Sequence, residues 1–119
     1  MAYDPNNIFA RILRGEIPCK KVYEDEFALA FHDINPQAPV HVLVIPKMPY
    51  VSLADFSKSA PPEIITGFFR AVASVVEQLD LVEPGFRALF NAGANAHQEV
   101  PHMHIHLFGG KKLGPMLVR

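Results

Sequence analysis

Cysteine is nearly absent from this chain: Cys19 stands alone among 119 residues. A single thiol closes no internal disulfide and builds no multi-cysteine metal site. A surplus of charge of either sign is also missing. Eleven basic and twelve acidic side chains leave a formal net charge of −1, so no global field draws the chain to nucleic acid or to an anionic membrane. No apolar run reaches the roughly 18–20 residues that a membrane span requires. The polar stretch from Met1 to Asn7 lacks the apolar h-region of a secretory signal. The expected setting is soluble, reducing and cytoplasmic, with neither nucleic acid nor membrane as partner.

What is present describes a globular chain. Half the residues are apolar and 19% are charged, enough for one core, and the length suits a single domain over residues 1–119. Asn6 and Asn7 are suited to cap a short helix over Ile8 to Arg14, ended by Gly15. Strands are expected at Lys21–Glu24, Phe27–His32 and His41–Ile45, the first two joined by a turn at Glu24 to Glu26. Two prolines force an irregular loop over Asn35 to Pro39. Ser59 reads as the N-cap of a long helix with Pro61 or Pro62 in its first turn. Its apolar positions, Ile64, Ile65, Phe68, Phe69, Val72, Val75, Val76 and Leu79, fall within an arc of about 140° at 3.6 residues per turn. Pro84 and Gly85 end that segment. Phe86–Asn91 and Met103–Phe108 complete five strands, separated by a loop from Gly93 to Val100, and no period is assignable to the tail Lys111–Arg119. The order of elements implies an α+β fold, a mostly antiparallel five-stranded sheet with two helices on one side.

Six histidines are many for this length, and three of them alternate at 102, 104 and 106. In a strand, alternate side chains share a face. His102, His104 and His106 then point one way while Met103, Ile105 and Leu107 point into the core. Neighbours on the histidine face stand about 6.5–7 Å apart, within reach of one small anion. Three readings of this row are open. It is a solvated polar face; or a zinc site, although no acidic residue on the strand orients the rings; or a phosphate-transfer site. In the last, one imidazole attacks phosphorus and its neighbours donate hydrogen bonds to the phosphoryl oxygens.

The row His102-Met103-His104-Ile105-His106, followed by Leu107 and Phe108, resembles the signature of the histidine triad (HIT) family. The segments Phe31 to His41, Leu43 to Lys47, Asn7 to Ile12 and Asn91 to Gly93 are similar to its HINT-like branch, the purine nucleoside phosphoramidate hydrolases. The resemblance covers nearly the whole chain. It implies that His104 attacks the α-phosphorus of a nucleoside 5′-phosphoramidate or acyl-adenylate. A nucleotidyl-histidine forms, and water then releases the nucleoside monophosphate. It further implies that His106 binds the phosphate, and that His102 and His41 support the nucleophile. Asp33 would accept from the ribose hydroxyls, although without the resemblance it reads first as the start of the turn before Pro36. Ile8, Phe9, His32, Ile34 and Leu43 would line the base and sugar pocket, and Asn91 would lie near the phosphate. No cofactor and no metal are implied. The family fold pairs two five-stranded sheets into a ten-stranded sheet, so a homodimer is expected.

Three departures from the family pattern bear on the leaving group. Glu99 stands where many members carry a serine or threonine that donates to it. Lys47 is followed by Met48 rather than by the histidine that, with a cysteine pair, holds structural zinc in some members; with Cys19 alone, zinc is not expected. Leu113 to Met116 replace a tryptophan-proline terminus.

Overall fold

The computed structural model describes residues 2–118; Met1 and Arg119, the ends of the polar N-terminus and of the tail, lie outside the described residues. The elements run α1 (Ile8–Leu13), β1 (Lys21–Glu24), β2 (Ala28–His32), β3 (Val40–Pro46), α2 (Leu53–Ser59), α3 (Pro62–Gln78), β4 (Arg87–Phe90) and β5 (Ile105–Gly109). The strands form one five-stranded sheet in the order β1-β2-β3-β5-β4. Every neighbouring pair is antiparallel. The fold is therefore α+β, as the sequence implies, but with three α-helices rather than two.

The additional helix explains where Ser59 belongs. Ser59 is the last residue of α2, not the cap of α3. The cap of α2 is Ser52, whose hydroxyl accepts from the Ala54 N–H, while Asp55 accepts from the Ser52 N–H in a reciprocal box. Seven residues are too few to show a helical period, and Phe56 alone is buried among them. α3 begins with Pro62 in the first turn and has no side-chain cap, which suits proline because that turn has no use for its missing N–H.

The helices do not share one side of the sheet. α3 covers the face that carries Ala28, Ala30, Val42, Val44, Ile105 and Leu107. α1 lies across the other face, where Phe9 packs with Leu29, Phe31, Leu43 and Ile45. β2 and β3 are central, and their side chains are apolar on both faces, so each face needs a cover. Small alanines in β2 face the long helix, and the larger Leu29 and Phe31 face the short one. No helix among the described residues is long and apolar enough to cross a membrane.

β5 begins at Ile105, two residues later than the alternation predicts. Residues 102–104 arrive as irregular chain, tied by the Met103 N–H donating to the Tyr50 carbonyl at 2.8 Å. Alternation persists nonetheless. Met103, Ile105 and Leu107 enter the core under α3, and His102 and His104 meet Phe9 on the opposite face.

Candidate active site

The face of the sheet opposite α3 carries His41 and Leu43 from β3, His106 and Phe108 from β5, and His104 just before β5. Cross-strand pairing sets His106 between Leu43 on β3 and Leu89 on β4. α1 lays Phe9 edge-on against the His104 ring, with centroids 4.9 Å apart. The histidine row is thus not a solvated polar face. His102 is fully buried, His104 is 7% exposed, and His41 is 3% exposed. The covers are α1 and the segment before it.

Backbone partners determine which nitrogen of each ring carries a proton, because a carbonyl only accepts and a backbone N–H only donates. The His102 carbonyl lies 2.7 Å from Nδ1 of His104. Nδ1 of His104 therefore bears hydrogen, and its Nε2 is the bare, nucleophilic nitrogen. The Gln37 N–H donates to Nδ1 of His41 at 3.2 Å. The proton of neutral His41 is then on Nε2, which donates to Nδ1 of His106 at 2.9 Å. That leaves His106 protonated on Nε2, as an outward donor. Ring centroids of His104 and His106 are 5.0 Å apart. A lone pair and an N–H thus stand side by side, the pair needed to attack a phosphorus and to hold one of its oxygens.

All four rings favour the neutral form. Burial is the largest cause in each, and it pushes His102 and His106 down to about 4. The neighbouring imidazoles lower His106 further, by the charges of His104 and His41. His104 is lowered by burial against the opposing pull of the His102 carbonyl and Asp33. His41 is lowered by burial against Asp33. Desolvation therefore dominates, and the crowding of the imidazoles is secondary.

His102 and His41 support different rings. His102 meets His104 through its backbone carbonyl, whereas His41 meets His106 through its ring. Asp33 serves two partners. Its Oδ1 accepts from the Asn35 N–H at 2.8 Å, the turn contact expected of an aspartate there, and its Oδ2 lies 3.5 Å from Nε2 of His41. Asp33, His41 and His106 offer ligand atoms within 4.8 Å of one another. A metal bound there would displace the proton that His41 and His106 share at 2.9 Å. Cys19, partly buried, is outside that group.

The remaining expected residues spread around this centre. Phe9 and Leu43 are buried beneath it, Ile8 is 43% exposed, and Ile34 is 89% exposed. His32 is exposed at the end of β2, and Asn91 is half-buried just after β4. Glu99 is exposed on the loop before the histidines and makes no hydrogen bond among the described residues. Phe108, absent from the expectation, stacks parallel to His106 with centroids 5.7 Å apart and lies 4.2 Å from the His41 ring. It continues the alternation of 102, 104 and 106, so the pattern itself contains the signal for it.

Comparison with known proteins agrees with this geometry. The HIT domain matches residues 14–113. An uncharacterised HIT-like protein of Azospirillum brasilense is 63% identical over 117 residues, covering 98% of this chain and 96% of that protein. The purine nucleoside phosphoramidase of Escherichia coli K12 is 41% identical over 110 residues, 92% of each chain. Among solved structures, a HIT family hydrolase from Clostridium thermocellum superposes with a TM-score of 0.86 at 40% identity, covering 95% of this chain and 97% of that one. With its histidine row on the face of the sheet opposite α3, the chain belongs to the HIT domain family.

Proposed function

We propose that the chain hydrolyses nucleoside 5′-phosphoramidates and acyl-adenylates, purine nucleotides foremost, through a nucleotidyl-histidine at His104. The observation that carries this reading is the pairing of tautomers: a bare Nε2 on His104, determined by the His102 carbonyl, beside an outward Nε2–H on His106, determined by His41, whose own tautomer the Gln37 N–H sets. Nε2 attacks the α-phosphorus, the bond to the amine or carboxylate breaks, and the leaving group takes the electron pair. Water then attacks the same phosphorus, the bond to His104 breaks, and the nucleoside monophosphate departs. His106 holds a phosphoryl oxygen, with Asn91 nearby. Asp33 accepts from the ribose, and Ile8, Phe9, His32, Ile34 and Leu43 frame the base and sugar. The phosphoramidase activity named for the relative 41% identical to this chain supports the substrate class.

The test is covalent. Mixed with adenosine 5′-phosphoramidate and quenched in alkali, the protein gains one nucleoside monophosphate on His104, and acid removes it, because an N–P bond tolerates base but not acid. His104→Ala loses turnover by several orders of magnitude while still binding nucleotide. Near-native turnover in that variant refutes the mechanism. Chelators leave activity unchanged; a loss that zinc restores favours a metal at Asp33, His41 and His106. Faster turnover of diadenosine polyphosphate than of the phosphoramidate moves the assignment to the neighbouring HIT branch. Binding without turnover of either makes the chain a nucleotide-binding regulator.

The same reading makes the protein a cytoplasmic homodimer of single-domain subunits. β4 is a sheet edge with one unpaired side. Beside it, Phe86 and Phe69 are 40% and 43% exposed. Joining two such edges extends the sheet to ten strands and leaves only the two β1 edges open. Sedimentation at micromolar concentration then reports the mass of two chains, and a mass of one chain excludes the pairing.

A further inference from the structure

The ring of His102 is the best-held group in the site, and the residue that completes its hold comes from the other end of the chain. Nε2 of His102 lies 2.8 Å from the Pro46 carbonyl. That oxygen has no hydrogen to give, so Nε2 is the donor, and Nδ1 of the neutral ring is a bare acceptor. The Tyr3 hydroxyl, 99 residues away in sequence, donates to this Nδ1 at 2.6 Å. The Tyr3 ring also packs edge-on against the His102 ring, with centroids 5.6 Å apart and planes at 68°. Burial leaves no water to replace either bond, since His102 is fully inaccessible.

We propose that Tyr3 is a positioning residue for the nucleophile, clamping His102 so that the carbonyl of the same residue keeps His104 in the tautomer that exposes a bare Nε2. This rests on the reading of His104 as nucleophile. The peptide joining His102 to Met103 is a rigid plane. On one side its N–H donates to the Tyr50 carbonyl at 2.8 Å. On the other its carbonyl receives Nδ1–H of His104 at 2.7 Å. Residues 102–104 precede β5 and have no strand ladder to hold them. Their geometry depends on these contacts and on the two bonds to the His102 ring. Without the Tyr3 hydroxyl, Nδ1 of His102 is a buried acceptor with no partner, and the ring gains by turning to find one. Turning breaks the bond to Pro46 and shifts the carbonyl on which the His104 tautomer depends.

Tyr3→Phe tests this, because it removes one oxygen and keeps the packed ring. With adenosine 5′-phosphoramidate as substrate, kcat falls about tenfold while KM stays within about twofold. Histidine nitrogen-15 spectra of the free protein supply a readout independent of turnover. In the native protein His102 is protonated on Nε2 and His104 on Nδ1; in Tyr3→Phe the His104 signals shift toward averaging of the two tautomers. A role in stability alone lowers the melting temperature with both kcat and the His104 spectrum unchanged, and that result overturns the proposal. So does a shifted spectrum with native kcat. If the native protein shows no turnover, the reading of function fails, and the His104 spectrum alone decides whether Tyr3 holds the tautomer.

Discussion

His104 and His106 are two residues apart and chemically identical, yet their partners assign them opposite tautomers. A carbonyl accepts from Nδ1 of one, and an imidazole N–H donates to Nδ1 of the other. The outward nitrogen is therefore bare in His104 and protonated in His106. Glu99 is a contrasting case. Its neighbour Gln98 does the bonding of the loop, accepting from the Gly93 N–H at 2.9 Å and donating to the Val51 carbonyl at 2.6 Å and the Val100 carbonyl at 3.0 Å. Glu99 itself is exposed, so under the proposed function its influence on a leaving group is that of a screened charge rather than of a buried acid. Glu99→Gln is accordingly expected to change the preference for cationic over anionic leaving amines by only about two- to threefold, with the native carboxylate favouring the cationic ones. Matched substrates measure this, and identical profiles for Glu99→Gln and the native protein remove Glu99 from the site.

At the scale of elements, a close junction lies where α3 crosses the β1–β2 turn. The Asp25 carboxylate organises that turn by accepting from the N–H groups of Phe27 and Ala28. Phe27 then presses its ring against α3 at Gly67. A Cβ built on Gly67 would stand 2.3 Å from Cγ of Phe27, far inside van der Waals contact. Alanine in the middle of a helix ordinarily gains about 1 kcal/mol over glycine. Overpacking of this kind costs about 1–3 kcal/mol, so the clash outweighs the propensity. Gly67→Ala should destabilise by up to about 2 kcal/mol, read as a lower urea midpoint at unchanged slope. A higher midpoint would mean that Phe27 swings aside at little cost.

The whole molecule carries a pH dependence imposed by its buried imidazoles. In the unfolded chain a histidine takes a proton near 6.5, while folded His102 and His106 hold out until about 4. Between those values the unfolded state binds more protons, so stability is full above about pH 6.5 and falls as the pH drops toward 4. His102 alone contributes on the order of 3 kcal/mol to that loss. Urea midpoints measured from pH 7.5 to pH 4 should begin to fall above pH 5, before carboxylates take up protons. Constant midpoints between pH 7 and pH 5 would show that the rings are not held neutral by the fold. Under the proposed mechanism, turnover of adenosine 5′-phosphoramidate should fall as the pH drops below the ordinary histidine range, since burial lowers His104 and its protonated form has no lone pair to attack with.

Much of this was legible in adjacent residues. The alternation across 102 to 107 separates core from site, and it survives even though β5 starts late. The seven apolar positions named in α3 and its C-cap Leu79 lie on one arc, and Phe69, at its margin, is the one left 43% exposed. The turn at Asp33 and the cap at Asn7 are likewise written in short-range chemistry. What only the tertiary structure decided are the partners. Pro46, His41 and Tyr3 stand 56, 65 and 99 residues from the rings they bind. Such distances are closed by sheet register and by the packing of α1 over the second face, neither of which leaves a local period. Proton positions, and with them the division between a bare and a protonated outward nitrogen, follow from those long-range contacts because an imidazole by itself is equally ready for either.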